Sequence, residues 1–173
     1  FDRKRFQLAV YDNRKGGDDF KKRLQSHVNR WRCIADICDE EVAKMIRGDQ
    51  IDILIDLSGH TSDNRLGVFA HRPAQIQMSM FGYPNTTGLE SVQYRITDSH
   101  ADLPGKTERF YSERFARLSK TAWVYPAPER GPGPFRTPST ESGIFTFGCL
   151  NNPIKVSQAA VDLWGLVLRQ LPH

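Results

Sequence analysis

Long apolar runs are missing from this chain: no stretch approaches the roughly 20 residues of a bilayer-spanning helix. The opening FDRKRFQLAVYDNRKGGDDF also lacks the apolar core of a signal peptide. No membrane partner is expected, and the cytoplasm is the default compartment. Cysteine is scarce, and Cys33, Cys38 and Cys149 form an odd set without CxxC spacing. That set supports neither a disulfide framework nor a zinc site. No Walker motif, GxGxxG or HExxH occurs. Lys and Arg never gather into a run despite the net charge of +4, so a nucleic-acid-binding arm is not expected either. A mild positive excess suits an anionic small substrate such as a nucleotide diphosphate, without selecting one.

What remains is a globular composition, 39% hydrophobic and 25% charged, over 173 residues. Residues 6–11 read as a short buried strand, and a helix is expected over 18–27. Residues 31–37 read as extended. Asp39 opens a second helix with Glu40 and Glu41 in its first turn, where the helix dipole favours carboxylates. Val42, Met45 and Ile46 recur there at helical spacing, and the helix should end near Gly48. Residues 51–57 give the strongest strand, nearly continuous in Ile and Leu, as expected when both faces of a sheet are covered. A short helix over 65–70 stops before Pro73, and strands come next over 76–81 and 94–97, then a helical turn at 108–112 and an extended 115–118. Alternating strands and helices imply right-handed βαβ units in a parallel sheet. The proline-rich stretch from Tyr125 to Pro138 cannot be an interior strand and reads as a linker over 125–142. Beyond it, 144–149 reads as a new strand. Residues 156–171 form an amphipathic helix with Val161, Trp164, Val167, Leu168 and Leu171 on one side. One strand and one helix cannot close a domain, so the chain is expected to be a piece of a larger protein, inactive by itself.

In open α/β sheets, ligands bind outside the carboxyl ends of the strands. Two loops occupy such positions here. Phe81-Gly82-Tyr83-Pro84-Asn85-Thr86-Thr87-Gly88 combines glycines, which let a backbone approach a ligand closely, with Asn and Thr groups suited to sugar hydroxyls. The same residue types also build plain turns. Ser58-Gly59-His60-Thr61 comes directly after the best strand. His60 has the neutral-range pKa of an acid or base, although a loop histidine commonly just orients its neighbours. Arg65 can pair with a phosphate, or with Asp63 or Asp98. Asn151-Asn152-Pro153-Ile154-Lys155 precedes the amphipathic helix, where exposed N–H groups and the dipole favour an anion and Lys155 can neutralise a leaving phosphate. Ser157 is placed to cap that helix.

Taken in order, the GHT loop, RPAQIQ, FGYPNTTG, the YRITD strand and FGCLNNPIKVS resemble the catalytic region of O-linked N-acetylglucosamine transferases and their SPINDLY-like relatives. These form family 41 of the glycosyltransferases. The resemblance runs over nearly the whole chain and is weakest at 101–142. It implies an α/β, Rossmann-like parallel sheet within a two-lobed GT-B fold: residues 1–124 as the later part of the amino-terminal lobe, 125–142 as the linker, and 143–173 as the start of the carboxyl-terminal lobe. It further implies a UDP-sugar donor, usually UDP-GlcNAc, and inverting transfer to Ser or Thr of a protein acceptor, with no metal or other cofactor and with TPR repeats in the same full-length chain. By the same resemblance Lys155 is the catalytic lysine on the donor diphosphate. Asn152 lies near the phosphates, Gly82, Tyr83 and Pro84 line the sugar pocket, Arg65 lies in the cleft, and His60 and Thr61 lie in or beside the site. Animal relatives carry Tyr at the position of His60, which argues against an obligatory base there. The family's Asp and His pair and its nucleotide-holding His-Thr-Thr segment have no counterpart in this chain. A UDP-sugar 2-epimerase-like enzyme of the same layout, or a non-catalytic nucleotide-sugar binding module, stays open.

Overall fold

A computed structural model describes residues 2–80, 82–125, 131, 133 and 135–171. The chain divides into two units, Phe1–Tyr125 and Pro126–His173. The first unit begins with strand β1 (Ala9–Asp12), helix α1 (Asp19–Gln25) and strand β2 (Arg30–Cys33), and β1 and β2 pair in parallel. Helix α2 (Asp39–Gly48) comes next, with three carboxylates in its first turn and Arg47 in its last. Its inward residues Val42, Ala43 and Ile46 are almost fully buried. They meet Ile34, Leu54, Val68, Phe69 and Val92 in the main hydrophobic core. Burying a side chain such as Val42 or Ile46 stabilises the unit by roughly 1.5–3 kcal/mol.

Strand β3 (Ile53–Asp56), helix α3 (Leu66–Ala70), and strands β4 (Ile76–Met80), β5 (Tyr94–Asp98) and β6 (Arg114–Leu118) complete the unit, with a 3₁₀ turn at Glu108–Phe110. Strands β3 to β6 lie side by side in chain order, all parallel. Right-handed crossovers that always step the same way put every connection on one face of such a sheet. The burial pattern agrees with that and corrects the expectation that both faces of the 51–57 strand are covered. Leu54 and Asp56 are buried, whereas Ile53 and Ile55 are 47% and 42% exposed. The covered face of the sheet holds Asp56, Gln77, Ser79, Arg95 and Thr97 beside Leu54, and the other face, exposed in this chain, holds Ile53, Ile55 and Ile76. Covered polar groups need internal partners, and Gln77 Nε2 finds them by donating to the carbonyls of Phe69 and Ser91 at 2.9 and 2.8 Å.

In the second unit, helix α4 (Pro138–Ser142) occupies the end of the stretch read as a linker; Pro126, Pro128, Pro132 and Pro134 of that stretch lie outside the described residues. No strand forms over 144–149 among the described residues, contrary to expectation. A strand exists only through a ladder partner, and none is present there. Helix α5 (Gln158–Arg169) is capped by the Ser157 hydroxyl, which accepts from the Ala160 N–H. The expected apolar side of α5 is exposed throughout, from Val161 to Leu171. No described helix is long and apolar enough to cross a membrane.

Candidate functional site

The first loop starts at the carboxyl end of β3. Asp56 accepts hydrogen bonds from the N–H groups of Ser58 and Gly59 at 3.3 and 2.6 Å, so a carboxylate inside the sheet shapes the turn directly after it. Burial pushes the Asp56 carboxyl above its usual range, against these two N–H groups, which favour its charged form. Thr61 turns its hydroxyl back to the Ser58 carbonyl at 3.0 Å. The His60 Nε2 lies 2.8 Å from the Thr87 carbonyl. A carbonyl only accepts, so Nε2 carries the proton in this contact and orients the second loop.

That second loop leaves β4 and packs backbone to backbone on the first. A Cβ on Gly82 would lie 1.7 Å from the Leu57 carbonyl oxygen, and one on Gly59 would lie 2.3 Å from Tyr83 Cβ. Glycine is needed at both places, and at Gly59 the backbone is also left-handed, with φ of 54°. The Tyr83 ring meets His60 edge to face at 5.4 Å. Side chains, not a strand ladder, hold the rest of the loop. Arg95 donates to the carbonyls of Tyr83 and Asn85, both at 3.1 Å, and Tyr111 donates to the Pro84 carbonyl at 3.4 Å. Burial and then the Asp102 carboxylate push the Tyr111 phenol up, so it stays a donor. Glu113 takes hydrogen bonds from the Thr86 hydroxyl at 2.7 Å, from the Thr87 N–H at 2.7 Å and from the Thr87 hydroxyl. The carbonyls of Tyr83, Pro84, Asn85 and Thr87 are thus all drawn onto protein donors, while Gly82, Pro84 and Asn85 stay exposed. Such a fixed surface of small and amide groups suits a sugar's hydroxyls. Phe81 lies outside the described residues.

His60, Thr61, Gly82, Tyr83 and Pro84 therefore lie on two touching loops. Arg65, expected in the cleft, has its guanidinium engaged by other residues of the chain. Its guanidinium donates to Asp39 at 2.7 Å, to the Asn13 side chain at 2.7 Å, and to the carbonyls of Ile34 and Ile37 at 3.1 and 2.7 Å. Its acidic partner is Asp39, not Asp63 or Asp98. Four of its five N–H donors are used: three knit the segment between β2 and the start of α2 to the start of α3, and one reaches Asn13 after β1. In the second unit Asn152 accepts from the Ile154 N–H at 3.1 Å and so caps the 3₁₀ turn Pro153–Lys155. Lys155 ends that turn, exposed, and nothing among the described residues pairs with its ammonium.

A family model described as Glycosyl transferase family 41 matches residues 1–126. The chain belongs to glycosyltransferase family 41. A rice (Oryza sativa subsp. japonica) relative named a probable UDP-N-acetylglucosamine–peptide N-acetylglucosaminyltransferase SPINDLY is 42% identical over 155 residues, covering 89% of this chain and 16% of its own. The tomato (Solanum lycopersicum) protein of the same name is 38% identical over 97% of this chain and 18% of its own. The family-41 chain thus spans less than a fifth of the length of these curated relatives. A solved mutant of the Thermobaculum terrenum O-GlcNAc transferase matches with a TM-score of 0.86 at 34% identity, covering 99% of this chain and 32% of that one. The α/β, Rossmann-like parallel architecture of a GT-B glycosyltransferase, expected from the sequence, is the architecture found.

Sequence reasoning missed the residues that shape the loops of this family-41 chain: Asp56, Arg95, Tyr111 and Glu113. For Asp56 a signal existed, a carboxylate ending an apolar strand directly before Ser-Gly. The other three act across 10 to 27 residues and show only once the strands are in register.

Proposed function

We propose that the intact protein to which this chain belongs transfers a sugar, GlcNAc in the first instance, from a UDP-sugar to Ser or Thr of a protein acceptor with inversion. The observation that carries the reading is the loop Gly82–Gly88, pinned in one shape at the carboxyl end of a parallel strand in a family-41 chain. The names of the relatives support the donor and the acceptor. In this mechanism the acceptor hydroxyl attacks the anomeric carbon as the bond to the diphosphate breaks, and the hydroxyl proton leaves on the departing diphosphate. Tyr83, Pro84 and the loop glycines seat the sugar, with His60 and Thr61 supporting the loop from beside it. Lys155, with Asn152 shaping its turn, neutralises the departing diphosphate, and no metal ion is assigned a part. His60 donates its Nε2–H to the Thr87 carbonyl and is not assigned as the base. TPR repeats in the same polypeptide and a cytoplasmic setting complete the reading.

The test incubates the full-length protein with a panel of labelled nucleotide sugars and a peptide mixture. One UDP-sugar is expected to label protein, and Lys155→Ala is expected to lower turnover by about 10²–10³, the range for losing one preorganised charge-stabilising group. Unchanged turnover in that variant removes the role given to Lys155. Labelling from a different class of nucleotide sugar alone overturns the donor.

A further inference from the structure

We infer that Glu113 is a positioning residue, which sets the shape of the sugar-facing loop by accepting hydrogen bonds from Thr86 and Thr87. The inference rests on the reading of Gly82–Gly88 as the donor-sugar loop. Glu113 directly precedes β6 and is 5% exposed. A buried carboxylate is costly unless a cation or several donors compensate it. No Lys, Arg or His among the described residues pairs with Glu113; its two oxygens are filled by the loop and by nothing else of opposite charge. Packing alone would be served as well by an apolar side chain, so what the carboxylate adds is the set of hydrogen bonds it accepts.

The Thr87 N–H can only donate, so Glu113 Oε1 accepts it. The Thr86 hydroxyl accepts from the N–H groups of Gly88 and Ser112 at 3.0 and 3.2 Å, and its one proton goes to the carboxylate Oε2 at 2.7 Å in preference to the neutral Ser112 hydroxyl at 3.1 Å. The Thr87 hydroxyl accepts from the Leu89 N–H at 3.3 Å and gives its proton to Oε1. An amide nitrogen in place of Oε2 would face a Thr86 oxygen whose lone pairs are taken. Glu113→Gln is therefore nearly isosteric and still breaks the pattern. The same carboxylate fixes the first loop to the second, because the peptide whose N–H it holds belongs to Thr87, and the carbonyl of Thr87 receives His60. A loop released from Glu113 loses the placement of the sugar ring and leaves the nucleotide's own contacts alone.

The experiment uses the full-length protein with the nucleotide sugar that labels best, and measures donor KM, kcat, UDP affinity and thermal unfolding. Glu113→Gln and Thr87→Val are expected to raise donor KM about tenfold, the equivalent of one lost charge-assisted hydrogen bond, with UDP affinity within about twofold of wild type. Thr87→Ser, which keeps the hydroxyl, is expected to restore donor KM to within about twofold. If Glu113→Gln does not fold, Thr87→Val decides the matter. Kinetics unchanged in the folded variants overturn the inference, as does a parallel loss of UDP affinity, which marks general loosening. If wild type labels protein but Glu113→Gln behaves like wild type, this inference alone fails. If wild type uses no nucleotide sugar, the parent reading fails with it.

Discussion

Replacing Gly82 by alanine adds one methyl group at the point where the two loops touch. The new Cβ would sit 1.7 Å from the Leu57 carbonyl oxygen and 2.6 Å from its carbonyl carbon. Both are backbone atoms, so no rotamer change relieves the overlap, and the loops must part by over an ångström. Overpacking of this kind costs about 1–3 kcal/mol, and the upper end is expected because the displaced backbone also carries the Arg95 and Glu113 anchors. At about 3 to 4 °C per kcal/mol for a unit the size of Phe1–Tyr125, its unfolding transition should fall by roughly 10 °C. Gly88→Ala is the control: it has a left-handed φ of 71° and nothing within 4 Å of its missing Cβ. It is expected to cost only about 1 kcal/mol of backbone strain. The assay is thermal unfolding of the full-length protein followed by differential scanning calorimetry, alongside donor KM. A Gly82→Ala transition within about 2 °C of wild type, or a loss no larger than that of Gly88→Ala, would refute the backbone contact between the loops.

Arg65→Ala should lower stability by about 2 kcal/mol, read as a shift in urea midpoint, because Asp39 and two backbone carbonyls lose their donor. An effect on donor KM larger than that on stability would return Arg65 to the donor site. Asp98 supplies a pH dependence. The N–H groups of Ala122 and Ala101, then those of His100 and the Thr121 hydroxyl, hold its carboxyl down to about 2. The native value lies below the unfolded one near 3.9. The stabilisation is therefore present above about pH 4 and lost as pH falls toward about 2. Asp98→Asn should be less stable at neutral pH and show a shallower acid slope across that window. The slope should not vanish, since the Glu108 carboxyl is also held down at about 2. An identical slope in Asp98→Asn would show that another carboxylate governs the acid limb.

Elements that depend on local pattern were legible in the sequence. Helix α2 could be read residue by residue from the carboxylates at 39–41 and the spacing of Val42 and Ile46, and strands β3 to β5 from their apolar runs and terminal turns. The failures share a cause. Whether Ile53 and Ile55 are covered depends on which side of the sheet the connections pass, and whether 144–149 is a strand depends on a partner outside the segment. Neither property resides in the residues themselves. The candidate site divides the same way. Its two loops were visible as Gly-, Thr- and Asn-rich ends of strands, whereas the partners of Arg65 were not, because Asn13, Ile34, Ile37 and Asp39 come from two separate stretches before it in the chain.

The loop that faces the sugar in this reading is closed by groups that come later in the chain: Thr86 and Thr87 meet Glu113, 27 and 26 residues further on. During synthesis from the amino terminus at roughly 5–20 residues per second, strand β4 and the loop are therefore complete as sequence a few seconds before the carboxylate that fixes them exists. Throughout that interval the Thr86 and Thr87 hydroxyls lack their acceptor, and the loop can sample other shapes. A truncation placed anywhere between β5 and Glu113 would remove β6 together with the carboxylate and leave the loop after β4 without its acceptor.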